Sequence, residues 1–227
     1  MEKIEISQRL KAITEYISPY KNIADIGTDH CFVPIYLLQN NRITKAIATD
    51  LRDGPIQEAK KNVSIYQLED KIEVRKGNGL APIKNEDQIE VVIIAGMGGR
   101  LIRDILEQDV KRLKTVKRLI LQPNKSMWVV REWLFTNSYT ITNEKILSEA
   151  GMTYEIIVAE PTRESIEYTE DDILFGPFLR KEKNEAFITF WQEERKHKEL
   201  ILSTLPNHHP DRKRLETYIQ QINEILN

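Results

Sequence analysis

The chain has 227 residues, 41% hydrophobic and 30% charged, and its 33 basic and 35 acidic side chains leave a formal net charge of −2. At roughly 150 residues per domain that is one full domain plus an appendage, and the apolar content excludes a disordered chain. The charge balance excludes a broadly basic nucleic-acid coat but not a local basic face; the single cysteine, Cys31, excludes an internal disulfide, and a charged start with no apolar run near ~18 residues points to a soluble cytoplasmic protein with no membrane span.

The first predicted element is a helix. Ile6, Leu10, Ile13 and Ile17 recur at spacings of three and four, with Ser7 as N-cap and Pro19 as the stop. Strands and helices then alternate. NIADIG (22–27) reads as a strand closed by glycine, followed by a helix over 34–39. KAIATD (45–50) is a second strand, and a helix over 55–66 starts at Pro55, where a missing N–H costs nothing. KIEVRKGNG (71–79) is a third strand and turn. QIEVVIIAGMGG (88–99) is a fourth, with the continuous apolar core of a strand buried on both faces. Leu101, Ile102, Ile105 and Leu106 mark the next helix, VKRLILQPN (116–124) a fifth strand, and Trp128, Val129, Trp133 and Leu134 the helix after it. Residues 138–161 break the pattern as a β-hairpin turning at Glu149 to Gly151. Such repeats imply parallel β-α-β units. Closed by a hairpin, they suggest an α/β fold with a seven-stranded, mostly parallel sheet and one reversed strand, a layout that resembles the Rossmann-like class I methyltransferases.

Beyond Pro161 the composition changes. Residues 163–172 read as a polar connector, and 178–205 as one long charged helix with a four–three spacing at Phe187, Trp191, Glu194, Lys198, Ile201 and Leu205. After a turn over 206–210, Leu215, Ile219, Ile222 and Leu226 repeat that spacing. The two helices are expected to pair as an antiparallel, coiled-coil-like hairpin with a polar middle. The expected division is a catalytic domain over 1–161 and a helical domain over 162–227.

The turn after the first strand selects a cofactor. Asp25-Ile26-Gly27-Thr28-Asp29-His30 stands where a nucleotide loop belongs, but of the dinucleotide pattern G-x-G-x-x-G only Gly27 is kept, with Asp29 at the next glycine position. A carboxylate there repels a pyrophosphate, which disfavours a nicotinamide-dependent oxidoreductase. S-adenosylmethionine brings an ammonium and a sulfonium, and Asp25 and Asp29 suit both. Asp50, 23 residues after Gly27, is placed for the two ribose hydroxyls, and Asn78-Gly79 for the adenine edge. Gly96 joins this set, and His30 is a candidate loop contact. A blander reading makes Asp25 and Asp50 helix caps and Gly27 a turn residue. Cys31 reads as a buried small apolar residue.

Strand four ends in Ala95-Gly96-Met97-Gly98-Gly99 and strand five in Gln122-Pro123-Asn124. The (Asn/Asp)-Pro-Pro-(Tyr/Phe) motif of many amino-methylating enzymes is absent. DIGTDHCFVP, ATDLRDGP, GNGL, AGMGG and LQPN resemble, in order and spacing, the bacterial tRNA (adenine(22)-N1)-methyltransferases, and the likeness extends to the C-terminal helical hairpin. Asn78 departs from the aspartate common there. The resemblance implies methyl transfer from S-adenosylmethionine to N1 of an adenine in the D-arm region of tRNA. Asp29 is the candidate catalytic group, placed to stabilise the cationic ring or accept its N6 proton.

N1 is a pairing atom, so the base must be unpaired or extruded and the RNA backbone held by positive charge. Met97, Gly98, Arg100, Arg103, Asn124, Lys125 and Arg131 are the candidate tRNA contacts. Lys111, Arg112, Lys114, Lys117 and Arg118 precede strand five and belong at the opposite end of the sheet. From residue 163 onward ten basic residues face thirteen acidic ones, so the hairpin has no net RNA signature; by resemblance it grips tRNA, and otherwise it is a packing or dimer element. His208 and His209 are adjacent, unlike metal ligands at helical spacing, and no metal is expected. A monomer or weak dimer is expected. Two alternatives remain at this level, a methyltransferase of a small molecule or protein and a non-catalytic S-adenosylmethionine-binding module.

Overall fold

The computed structural model describes residues 3–164 and 167–227. In chain order it contains α1 (Gln8–Thr14), β1 (Asn22–Ile26), α2 (Phe32–Gln39), β2 (Lys45–Asp50), α3 (Asp53–Ile65), β3 (Ile72–Lys76), β4 (Val91–Met97), α4 (Gly99–Gln108), β5 (Arg118–Pro123), α5 (Met127–Thr136), β6 (Tyr139–Glu149), β7 (Met152–Pro161), α6 (Glu170–Phe175), α7 (Leu179–Glu182), α8 (Glu185–Thr204) and α9 (Arg212–Leu226). The strands form one seven-stranded sheet in the order β3-β2-β1-β4-β5-β7-β6. β1 to β5 pair in parallel, β7 runs against both β5 and β6, and it is the reversed strand expected of the hairpin.

Both faces of the sheet are covered, which is why the central strands are apolar without alternation. Ile93 and Ile120 pack with Ile13, Ile35 and Ile17 on the face of α1 and α2. Their neighbours Val92, Ile94, Leu119 and Leu121 pack with Ile102, Leu106, Val130 and Trp133 on the face of α4 and α5. α1 is shorter than its apolar spacing, and Ser7 caps it by accepting the Leu10 N–H. Chain order reverses between β1 and β4, whose neighbours on either side lead to opposite edges. Ligands of open α/β sheets bind outside the carboxyl ends of strands at such a switch point.

The C-terminal segment differs from the sequence expectation in two places. The predicted helix over 178–205 is broken, because Lys183 adopts a left-handed conformation and ends α7. Asn184 then caps α8 by accepting the Phe187 N–H, while its amide donates to the Ile146 carbonyl of β6. Within the expected connector, Thr169 caps α6 with a reciprocal bond from Asp172; its residues 165 and 166 lie outside the described residues. α8 and α9 do pair antiparallel, with Arg195 donating to Asn223, Tyr218 to Glu194, and Arg212 to the Leu202 and Leu205 carbonyls. Phe175, Leu179, Phe187, Trp191 and Ile222 close a third apolar cluster against Ile146. Glu194 and Lys198 form an ion pair at 3.0 Å in the polar middle of the seam.

Candidate active site

The carboxyl ends of β1 to β5 bring most of the predicted residues together. Gly27 turns the chain with φ +73°, and its N–H and that of Thr28 both donate to the Thr49 carbonyl at the end of β2. The left-handed backbone favours glycine here, and a Cβ on Gly27 would stand 2.0 Å from the flexible Met97 methyl, which would have to swing aside. Asp25 is buried and accepts the Thr28 hydroxyl at 2.6 Å. Burial pushes its carboxyl up to about 6, against the pull of the Thr28 hydrogen bond. Neither Asp25 nor Asp50 occupies a helix N-cap, because those positions are Cys31 for α2 and Arg52 for α3. The blander reading of the two carboxylates therefore does not hold.

Asp29 has φ 51° and an exposed carboxylate, 3.3 Å from His30 Nε2. The His30 ring stacks on Phe32, with centroids 5.0 Å apart. Cys31 is buried, and burial holds its thiol far above the ordinary range, so it is no nucleophile. Asp50 Oδ1 accepts the Arg52 N–H at 2.9 Å, and among the described residues Oδ2 has no hydrogen-bond partner. Asn78 is exposed at the rim, its amide 3.4 Å from Gln108. Gly79 has φ +51° and lies beside Ile105. These groups, together with the Gly27 turn, fit S-adenosylmethionine. The turn presents carboxylates, a charge that suits a ligand carrying two cations, and Asp50 Oδ2 has no hydrogen-bond partner among the described residues.

The other half of the site is built from amides. The β4–β5 register shifts between Ala95 and Met97, leaving Gly96, at φ +78°, as a bulge. The bulge turns both its backbone groups toward β5. Gly96 N–H donates to Gln122 Oε1 at 3.1 Å, and Asn124 Nδ2 donates to the Gly96 carbonyl at 2.9 Å. Gln122 is fully buried, and its Nε2 completes the ring by donating to Asn124 Oδ1 at 3.0 Å. Gly98 lies beside the Lys125 side chain, and the Gly99 N–H donates to the Lys125 carbonyl. A Cβ on Gly99 would stand 2.3 Å from the Ser126 carbonyl oxygen, so the loops after β4 and β5 are locked together.

The candidate tRNA contacts divide. Asn124 and Lys125 are exposed at the mouth, as are Arg100 and Arg103 on α4, where Arg103 pairs with Asp104 at 2.6 Å. Arg131 does not belong with them. It is fully buried, with Nε 2.7 Å from Glu144 and Nη2 2.5 Å from Glu155, and Nη1 reaches toward the Ile173 and Leu174 carbonyls of α6. Burial works against its charge, and the two carboxylates hold it charged. Gly176 passes so close that a Cβ would stand 2.6 Å from Glu144 and 2.7 Å from Arg131. Arg131 therefore ties α5, the hairpin and α6 together. Removing it alone would strand two buried carboxylates, at a cost of about 3–5 kcal/mol.

Two residues of the candidate site escape the motif reading. Gln122 sits inside the quoted QPN turn without an assigned role. Arg9 of α1 reaches the site through a hydrogen bond from Nη1 to Gln122 Oε1 at 2.7 Å. The basic run before β5 lies at the far end of the sheet, as expected. There Arg118 pairs with Glu160 and Lys117 with Glu90.

Comparison with known proteins agrees with this geometry. The family model described as TrmK, tRNA (adenine(22)-N(1))-methyltransferase, matches residues 23–225. The tRNA (adenine(22)-N(1))-methyltransferase of Bacillus subtilis is 40% identical over 205 residues, covering 88% of this chain and 86% of that protein. The structure of Streptococcus pneumoniae Sp1610 in complex with S-adenosyl-L-methionine superposes with a TM-score of 0.92 at 41% identity, over 98% of this chain and all of that one. That of Mycoplasma capricolum TrmK with S-adenosyl-homocysteine gives 0.90 at 30% identity, over 97% of each chain. The chain belongs to the tRNA (adenine(22)-N(1))-methyltransferase family.

Proposed function

We propose that this protein methylates N1 of adenine 22 in tRNA, using S-adenosylmethionine, in the cytoplasm. Residues 1–161 form the catalytic unit and residues 162–227 a helical unit that holds tRNA. The observation that carries the reading is the meeting of two unlike half-sites at the Gly27–Met97 contact, one of carboxylates and one of amides.

In the cofactor half, Asp25 and Asp29 face the ammonium, Asp50 Oδ2 receives a ribose hydroxyl, and Asn78 meets the adenine edge. S-adenosylmethionine supplies an electrophilic methyl group on sulfur. The Gly96 bulge and Gly98 leave a floor without side chains on which an extruded adenine lies flat. Its N1 lone pair forms the new N–CH3 bond as the S–CH3 bond breaks, with the electron pair leaving on sulfur. The ring gains the positive charge, and the exposed Asp29 carboxylate lowers its energy. The ring of hydrogen bonds through Gln122 and Asn124 fixes the floor before substrate arrives, so no reorganisation is needed at reaction.

Transfer of tritiated methyl groups to two transcripts tests this. A tRNA with adenine at position 22 is labelled, and the same tRNA with guanine there is not. Equal labelling of both, or labelling of neither, contradicts the reading.

A further inference from the structure

We propose that Arg9 grips a backbone phosphate of the target nucleotide as its base enters the acceptor half; the inference rests on the tRNA-methyltransferase reading above. α1 precedes the first strand, yet its arginine reaches the carboxyl ends of β4 and β5. Nη1 donates to Gln122 Oε1 at 2.7 Å and stands 3.8 Å from where a Cβ of Gly96 would be. The guanidinium lies over the Tyr154 ring, 5.2 Å from its centroid. The helix itself is held, because both carboxylate oxygens of Glu149 accept backbone N–H groups of its first turn, from Gln8 at 2.7 Å and Arg9 at 3.1 Å. Arg9 is thus fixed from three sides.

Its charge is only partly engaged within the protein, where it helps hold the Glu149 carboxyl below its usual range without forming an ion pair with it. Among the described residues no carboxylate lies within ion-pair distance of it, and only Nη1 has a hydrogen-bond partner. Nε and Nη2 keep the parallel pair of donors that matches two oxygens of a phosphate. Every other reacting group here argues against a cation. The sulfonium and the methylated ring are both positive, and a guanidinium beside them raises their energy. A fixed cation in this place is explained by an anion that arrives with the substrate, and the anion of RNA is phosphate. Once methylation makes the ring cationic, the same charge favours its departure.

The test uses the full-length protein with Arg9→Ala and Arg9→Lys, reading tRNA KM, kcat, S-adenosylhomocysteine affinity and the salt dependence of tRNA binding. Arg9→Ala is expected to raise the tRNA KM by about tenfold or more and leave S-adenosylhomocysteine affinity within about twofold. It is also expected to reduce the log–log salt slope by about 0.7–0.9. Arg9→Lys keeps the slope and recovers part of the affinity, because a lysine supplies the charge without the fork. Should the alanine variant not fold, Arg9→Gln keeps a donor for Gln122 without the charge, and the same loss of slope is expected. An unchanged KM and slope, or a fall in kcat alone, overturns the proposal in favour of a purely structural arginine. Wild-type protein that methylates no tRNA overturns instead the reading on which it rests.

Discussion

The two halves of the site are opposite in chemistry although they share one sheet edge. After β1 and β2 the chain presents carboxylates, with Asp25 buried against Thr28, Asp29 exposed and Asp50 half-engaged by Arg52. After β4 and β5 it presents a closed ring of amides, joined from α1 by Arg9, which has no ion-pair partner among the described residues. The first half suits a ligand that arrives with positive charge, the second a neutral base on an anionic chain. One strand boundary separates them, which is what a group transfer between two such molecules requires.

If the halves act separately, damage to one must spare the other. The largest effect is expected from Asp50→Ala. Losing a charged acceptor for ribose hydroxyls is expected to weaken S-adenosylhomocysteine binding about 100-fold, measured by calorimetry, with tRNA binding unchanged. A parallel loss of tRNA affinity would break the distinction. Gln122→Ala comes next. It frees the Gly96 bulge and leaves the Gly96 N–H without its acceptor, so kcat should fall about 30-fold while cofactor affinity stays within about threefold. An equal fall in cofactor affinity would merge the two halves into one.

The smallest effect is a pH dependence. Asp25, raised to about 6 by burial, is neutral below that value and loses its attraction for an ammonium. Cofactor affinity is therefore expected to drop about tenfold between pH 7 and pH 5, and Asp25→Asn should flatten this profile. The sign for stability is the reverse. The folded state holds this proton more tightly than the unfolded chain, so its contribution is full below about pH 4 and is lost as pH rises through about 6. Asp25→Asn should accordingly raise the melting temperature at pH 8 and leave it unchanged at pH 4.

The cofactor half was legible in the sequence because its groups lie on the strand-ending turns themselves, and apolar runs closed by Gly27, Asp50 and Gly79 locate those turns. The acceptor half was legible only in part. Gly96 stood out as a glycine, but the bulge that turns its N–H toward Gln122 is a register shift against β5 that no local pattern encodes. Arg9 is 113 residues from Gln122, and only the tertiary fold joins them. Arg131 misled because it follows Gln-Pro-Asn closely in the chain, while its partners lie on the hairpin. A second register shift, between Ile141 and Asn143, moves the inward positions of β6 from Tyr139 and Ile141 to Glu144 and Ile146. That shift carries a carboxylate into the interior, where Arg131 meets it. The break at Lys183 was hidden for a similar reason, since residues 178–205 are rich in helix formers and the left-handed Lys183 and the Asn184 cap are held in place by a tertiary contact of Asn184 with Ile146 of β6.

The central claim is that the nitrogen receiving the methyl group is N1 of one adenine. The most direct measurement is a full digest of tRNA methylated with a deuterated-methyl cofactor, with the labelled nucleoside identified by mass spectrometry and its position mapped. The account predicts deuterated N1-methyladenosine at position 22 and nowhere else. Label on N6, on another nucleotide, or on the protein itself would contradict it.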